Sequence, residues 1–532
     1  MLLNIDIVCF NCDEEQPVWV HGNVFRSKQQ SPAFIQDVDY LVSTSTANWI
    51  LFWDYSLGHP DEKLITQLSL EPLDVFHAGL KLGTRALPDA MNYVHPTWIY
   101  NIDGDDKVTH SNFRMSFSAA LVRLPVLKLL QSYIQPYNSW QMLGVAFGYS
   151  VILSGGIIRY HADMVKHPVV ASPVVPLNDE WIFSRNFFEL RWQLWTLINK
   201  PGLLANIKAW LSARHIPYRK PKRVIHPSAK TEQPVPHAKV SILAPTLDRY
   251  SYLKEELREL NEQTILPHEV LITDQTDKQR RQSIDFSKYN NLTIRYFPQD
   301  EKGQCIAWNK LIEEATGEYI FFFGDDAYDI KPFLIEKMLQ TMHRFNADMV
   351  ASNVREKGIV YGSANYYYYM SDSFPITLIK KSVVTKAGGM DMFFNRNVKA
   401  DHDLAMRCHL NGALMIFDPS AEIGHHRAPS GGLRAHNARV ITNFMAKNTL
   451  TKILNPSASE IFIYRRYYSA KQYTNHVRIK YMNQLLTNGH IFRKFLRLLV
   501  MLYKLPAIKK AYKANLHTAM EELNKRRIPV SK

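Results

Sequence analysis

The chain has 532 residues, is 46% hydrophobic and carries a formal net charge of +15, with an isoelectric point near 9.3. That length is too great for one ordinary core and implies roughly three folding units. The positive balance suits an acidic partner, which leaves nucleic acid, an anionic membrane surface and phosphorylated substrates open.

The opening "MLLNIDIVCFNCDEE" lacks a basic leading segment, and Asn4 and Asp6 break its apolar run, so it does not read as a secretory signal. No stretch approaches the ~18 uninterrupted apolar residues of a spanning helix. Cys9 and Cys12 form a "CFNC" step, but Cys305 and Cys408 are isolated. A structural zinc site would need a second pair, so the cysteines read as core residues of a protein in a reducing compartment. The expected location is the cytoplasm, at the inner face of the membrane if the contact discussed below is made.

Residues 1–170 read as an α/β unit, and 171–218 as a helical connector. Within the first unit "NIDGDDK" offers Asp103, Asp105 and Asp106, whose Asp-Gly core is foremost a turn signal. A linker follows at 219–237, rich in Pro, Lys and Arg and without hydrophobic period. Beyond it strand and helix alternate as a parallel α/β sheet requires. "KVSILAPT" is a buried strand and "SYLKEELRELNEQ" a helix with Leu253, Leu257 and Leu260 on one face. "EVLITDQT" and "LTIRYFP" are the next strands, and "CIAWNKLIEEATG" a helix that Gly317 is expected to end through a left-handed cap.

"EYIFFFGDD" is the fourth strand and ends in Asp325 and Asp326, while the second strand ends in Asp274. Ligands of open α/β sheets bind outside the carboxyl ends of strands, so these three acids are expected to share a cleft. "ADMVASNV" and "SFPITLIKKSVV" read as strands or strand entries around Tyr366 to Tyr369. In that tetrad Tyr367 is a candidate platform for a sugar ring, although alternate aromatics on a strand also simply pack. "ADHDLAMRCHLNG" reads as a helix with Asp401 and Asp403 in its first turn. From about 436 to 532 the pattern is helical and basic, and "FRKFLRLLVMLYKLP" suits either an anionic membrane surface or docking on its own domain.

The first unit repeats the second in weakened form. "TANWILFWDYSLG" parallels "TGEYIFFFGDDAY", "SFSAALVRLPVL" parallels "SFPITLIKKSVV", and "LSGGIIRYHADMVKH" parallels "LNGALMIFDPSAEIGHH", in the same order. In this register Asp54 stands opposite Gly324, Tyr55 and Ser56 replace the paired acids, and nothing acidic near Trp140 and Gln141 matches Asp401 and Asp403.

Read as chemistry, the second half presents Asp274, Asp325, Asp326, Asp401, Asp403, His425 and His426. Oxygen ligands suit Mg2+ or Mn2+, and an added imidazole favours Mn2+. A cation so held would neutralise a diphosphate leaving group while a further carboxylate takes a proton from an attacking hydroxyl. A solvated Gly-Asp turn, helix-dipole acids and ordinary loop histidines are the plainer readings of the same residues.

The ordered series "SILAPTLDR", "EVLITDQTD", "GQCIAWNKLIEEATGEYIFFFGDD", "KADHDLAMR" and "IGHHRAPSGGLR" resembles the family 2 glycosyltransferases of GT-A fold over residues 238–435. The resemblance implies a GT-A (Rossmann-like mixed sheet) catalytic domain, preceded by a degenerate GT-A-like α/β domain and followed by a helical region. It further implies a metal-dependent, inverting transfer of a hexose-type sugar from a nucleotide-diphosphate sugar to a growing cell-surface glycan, either a polysaccharide or a lipid-linked oligosaccharide. Carried over residue by residue, Asp274 contacts the nucleotide base, and Pro245 and Thr246 line the nucleotide. Asp325 and Asp326 match the DXD-type motif, with Asp326 on the metal, His425 and then His426 close that site, and Asp401 is the general base. Arg434 is expected to reach a phosphate, and Asp403 and Tyr367 are weaker acceptor candidates. The donor and a glycan acceptor are the expected partners, with peripheral membrane contact through the basic C-terminal helices and no nucleic acid. Two rival readings are a polymerase active in both units and, from another class, a nucleotidyltransferase or nucleic-acid-binding protein.

Overall fold

The computed structural model describes residues 4–13, 19–79, 82, 89–93, 101, 102, 104–166, 174–219, 222, 224, 225, 238–356, 367, 368, 376–426, 428, 450–485 and 490–528. Two mixed sheets dominate it. The first is built from β1 (Ile5–Phe10), β2 (Val24–Arg26), β3 (Trp49–Asp54), β4 (Val75–His77), β5 (His110–Ser111), β6 (Ala119–Arg123) and β7 (Ile158–Tyr160), in the order β2-β1-β3-β6-β4-β7-β5. Helices α1 (Ser31–Thr44), α2 (Glu62–Leu70), α3 (Leu124–Leu130) and α4 (Trp140–Leu153) connect its strands. Three more, α5 (Leu177–Phe187), α6 (Leu190–Asn199) and α7 (Leu203–Ser212), occupy the connector region.

The second sheet contains β8 (Val240–Thr246), β9 (Glu269–Asp274), β10 (Ile294–Pro298), β11 (Tyr319–Phe322), β12 (Ala327–Tyr328), β13 (Met349–Glu356), β14 (Tyr367–Tyr368), β15 (Thr377–Lys380) and β16 (Met415–His425). Its order is β10-β9-β8-β11-β15-β13-β16-β12, with β14 also on β16. Its helices are α8 (Tyr250–Leu260), α9 (Gln304–Glu314), α10 (Leu334–Phe345), α11 (Lys381–Ala387) and α12 (Ala400–Leu410). The chain ends in α13 (Ala458–Tyr467), α14 (Ala470–Leu485), α15 (Ile491–Tyr503) and α16 (Leu505–Lys525).

The two sheets share one plan. In each, a first strand is flanked by two parallel neighbours, the strand after the second of these runs antiparallel, and the strand beyond it pairs in parallel with a late one. Even the two-residue strands β5 and β14 correspond, each lying antiparallel on the late strand. The register agrees as well: Trp49 faces Arg123 in the first sheet and Tyr319 faces Lys380 in the second. The repeat seen in the sequence is therefore a repeat of topology, with β10 and β12 lacking counterparts among the described residues.

The apolar stripe of α8 explains its position, since Leu253, Leu257 and Leu260 are all fully buried, each stabilising the fold by roughly 1.5–3 kcal/mol relative to exposure. Two local expectations need correction. Gly317 is not a left-handed cap: α9 ends at Glu314, and Ala315 turns the chain out in an extended conformation. The glycine is required because a Cβ there would meet Lys239 O at 2.7 Å and Ser241 N at 2.8 Å. Likewise "KKSVV" does not extend the strand, because β15 stops at Lys380 and the chain enters α11 at Lys381.

The units touch at defined points. Arg159 of the first unit, which also donates to Thr109 O within that unit, donates to Gly412 O at 2.8 Å, just past the end of α12. Helix α14 reaches back to the first unit through Lys471 and Asp89 at 2.9 Å, and to the connector through Arg478 and Asn199 at 2.9 Å.

Candidate active site

Three strand ends of the second sheet meet at one edge. Thr246 closes β8 and lies in register with Asp274 at the end of β9, and Pro245 faces Thr273 one step earlier. Beyond β11 the backbone turns sharply at Gly324, whose φ of +100° lies where a side chain would be strained. The next two residues are Asp325 and Asp326, both buried. β12 then pairs antiparallel with the end of β16, setting Ala327 against His425. That pairing is why two histidines 100 residues downstream of the acids arrive beside them.

Asp326 is held on both oxygens. Its Oδ1 lies 3.0 Å from His425 Nε2, and its Oδ2 accepts from Arg249 Nη1 at 3.2 Å and from the Ala428 N–H at 3.2 Å. Burial acts to raise its pKa, but the His425 contact and the Arg249 charge prevail and hold the carboxyl well below the ordinary range. Asp325 accepts from the same Arg249 Nη1 at 2.8 Å. Burial pushes its pKa up to about 6, with Arg249 opposing and the neighbouring Asp326 charge adding to the rise. One guanidinium thus bridges a pair of adjacent acids with opposite proton affinities.

His426 takes a different partner. Its Nε2 lies 3.0 Å from Glu255 Oε2, and its ring packs on Tyr328 with centroids 4.2 Å apart. Asp274 is fully enclosed, its Oδ2 accepting from the hydroxyls of Tyr250 at 2.6 Å and Tyr296 at 2.5 Å, and its Oδ1 from the Thr276 N–H at 2.8 Å.

Asp401 and Asp403 part company on α12. Asp401 sits half-buried in the first turn, accepting from the His402 N–H at 2.9 Å. Asp403 is fully buried and accepts from Arg407 Nε at 2.8 Å, Arg466 Nη1 at 3.0 Å and the Tyr467 hydroxyl at 2.7 Å. These surroundings make Asp403 a staple between α12 and α13 rather than an acceptor contact. Asp403→Ala would leave two guanidinium groups short of a buried partner, and is expected to cost about 3–5 kcal/mol in a denaturant melt. Tyr367 lies on β14, where its side chain falls outside the described residues, as does Arg434 altogether.

Sequence reasoning missed four contributors. Arg249, the last residue of "SILAPTLDR", bridges the acids, and Tyr250 and Tyr296 hold Asp274. The fourth is Glu256, fully buried on α8. Burial, followed by the Asp325 and Asp326 charges, raises its pKa well above the usual carboxylate range. Because the folded state holds this proton more tightly than the unfolded one, Glu256 lowers stability as pH climbs above its unfolded value. The slope is about 1.4 kcal/mol per pH unit. Glu256→Gln should therefore melt higher than the parent by a margin that widens as pH rises above the ordinary carboxylate range, checked by melting both from about pH 5 upward.

The first unit's equivalent corner is filled by its own side chains. Asp54 accepts from Asn11 Nδ2 at 3.0 Å, Gln29 Nε2 at 2.5 Å and the Ser56 N–H at 3.0 Å. Trp140, at the start of α4, donates to Ser118 Oγ at 3.1 Å and packs on Phe34 with centroids 4.9 Å apart.

Residues 241–401 match the family Glycosyl transferase family 2. A curated relative from Rickettsia felis, described as an uncharacterized glycosyltransferase, is 25% identical over 217 residues. The match covers 39% of this chain and 36% of the relative, so the chain spans little more than a third of the relative's length. Among solved structures, the mannosyltransferase PcManGT of Pyrobaculum calidifontis in complex with GDP-Man and Mn2+ aligns at 15% identity and a TM-score of 0.33, over 55% of this chain and 88% of that one. Staphylococcus aureus TarS 1–349 in complex with UDP-GlcNAc aligns at 13% identity and a TM-score of 0.34, over 54% of this chain and 92% of that one.

Proposed function

We propose that this chain, whose residues 241–401 form a family 2 glycosyltransferase domain, transfers a hexose-type sugar from a nucleotide-diphosphate sugar to a growing cell-surface glycan, with inversion at the anomeric carbon. One observation carries the reading: within that domain a buried carboxylate pair lies at the carboxyl edge of the sheet, bridged by Arg249 and adjoined by His425. Such a corner sets carboxylate oxygens and an imidazole at the edge where α/β sheets take their ligands.

The donor set fits Mn2+ or Mg2+. Asp326 and His425 adjoin and offer a hard oxygen and an imidazole, with His426 next in line. Among the described residues no group of three such side chains converges, so the remaining positions would fall to the donor's diphosphate and to solvent, the usual habit of these ions. When bound, the cation would act as a Lewis acid on the departing nucleoside diphosphate.

The chain's own residues do the rest. Asp401 accepts the proton of the acceptor hydroxyl as its oxygen attacks the anomeric carbon; the new C–O bond forms opposite the breaking bond to the diphosphate, which inverts the centre. Pro245 and Thr246 line the nucleotide. Asp274 reads the base once one of its two tyrosine hydroxyls gives way, Asp325 keeps Arg249 in place, and Arg434 reaches a phosphate. A polysaccharide or lipid-linked acceptor places the reaction at the inner face of the cell membrane. The occupied corner around Asp54 and Trp140 favours a single catalytic unit, with the first domain holding the acceptor chain or a partner.

Thermal melting tests the reading. At a donor concentration 100 times Kd, binding contributes about 2.7 kcal/mol, so one nucleotide sugar with Mn2+ should raise the melting temperature by a few degrees and do much less without metal. A screen of UDP-, GDP-, dTDP- and CMP-sugars that moves nothing would overturn it.

A further inference from the structure

Helix α15 is built inside out. Of its 13 residues the one that is buried is Arg497, 2% exposed, whose Nη2 donates to Lys452 O at 3.4 Å. Its large apolar side chains face solvent instead: Ile491 is 73% exposed, Phe492 63%, Phe495 55%, Leu499 45%, Leu502 56% and Tyr503 85%. At about 100° per residue these six fall within an arc of about 120°, and Arg497 lies opposite its middle. Soluble proteins turn such a stripe inward, so an exposed one of this size marks a contact surface.

The charge around the arc selects the partner. Between residues 490 and 520 there is no aspartate or glutamate, while seven lysines and arginines occur. Arg493, Lys509, Lys510 and Lys513 are exposed on α15 and the following α16. At 1.5 Å per residue α15 is about 20 Å long, too short to cross a bilayer core of about 30 Å. No described helix is long and apolar enough to cross a membrane. A short helix with an aromatic and aliphatic face beside an acid-free basic segment suits the plane of an anionic lipid surface.

We propose that α15 is the docking helix of this protein for an anionic membrane surface, seating its outward arc at the acyl boundary while the neighbouring lysines and arginines meet lipid headgroups. The proposal does not depend on which sugar is moved, or on whether sugar is moved at all. For the basic C-terminal helices the sequence leaves two readings open, membrane surface or self-docking. Arg497 facing inward is what separates them, because a self-docked amphipathic helix would bury Phe495 and Leu499 and expose its arginine.

The experiment is co-sedimentation of the full chain with vesicles of phosphatidylcholine alone and of phosphatidylcholine mixed with phosphatidylglycerol. The wild type should pellet with the mixed vesicles, and less so as salt rises. The double variant Phe495→Glu, Leu499→Glu should lose at least ~10-fold of that partitioning while its circular dichroism and melting temperature stay unchanged, since both positions are exposed. Its transfer of sugar to a soluble acceptor should also persist, which separates this test from that of the proposed activity. Equal partitioning of the variant, or no pelleting of the wild type, would overturn the proposal. So would a wild-type dimer in light scattering that the double variant abolishes without any vesicle binding, which would assign the arc to a second copy of the chain.

Discussion

Asp401→Asn is expected to slow sugar transfer by roughly 100- to 10,000-fold, the usual contribution of a positioned general base, while donor binding stays near that of the parent. The expectation follows from where α12 sits. Its first turn presents Asp401 half-buried, and the helix is fixed from two sides. Asp403 ties it to α13 through Arg466 and Tyr467, and Gly412 beyond its other end accepts from Arg159 of the first unit. An Asn at 401 keeps the size and most hydrogen bonding of the side chain but cannot take a proton. The loss should therefore appear in kcat, with the KM for donor little changed, and donor melting shifts should remain. Near-normal transfer by the variant would place the base elsewhere.

Asp326→Asn is expected to act one step earlier, on the donor itself. The carboxylate faces His425 on one oxygen and Arg249 on the other, and both contacts favour its charged form. If the proposed cation sits on this carboxylate, removing its charge leaves only a neutral amide oxygen as ligand, so the metal-dependent part of the donor's melting shift should vanish. Turnover should fall by roughly 100- to 1,000-fold, the scale of losing one electrostatic contact to developing negative charge. Asp325 stays paired with Arg249 through the same Nη1, so the fold is expected to persist. A variant that binds donor with Mn2+ as the parent does would remove Asp326 from the metal site.

Much of this was legible in the sequence because it is local. The runs "SILAPT" and "EVLITD" became β8 and β9, and the stripe Leu253, Leu257, Leu260 is the buried face of α8. The three repeated stretches gave the register of the two sheets correctly, since strand pattern and order survive even where site residues are lost. What local pattern cannot carry is partnership at distance. Arg249 is 76 residues from Asp325, and nothing in "TLDR" announces that it will bridge two acids. Asp403 reads as Asp401's companion because both lie in one helical turn, yet residues two apart on a helix point about 200° from one another, and Asp403 faces α13. Gly317 carries the pattern of a helix cap, but its cause is a close approach to the backbone of Lys239 and Ser241, a tertiary contact. In α15 the sequence displayed two faces and left open which one would turn inward.

The most direct test of the central claim is release of nucleoside diphosphate from the cognate nucleotide sugar by the full chain with Mn2+, compared between the parent and Asp326→Asn. The account predicts steady, acceptor-stimulated release from the parent and release near background from the variant, because it assigns the chemistry to the second unit alone. Release from Asp326→Asn at the parent rate would contradict it and move the chemistry away from the corner that Asp326, Arg249 and His425 form.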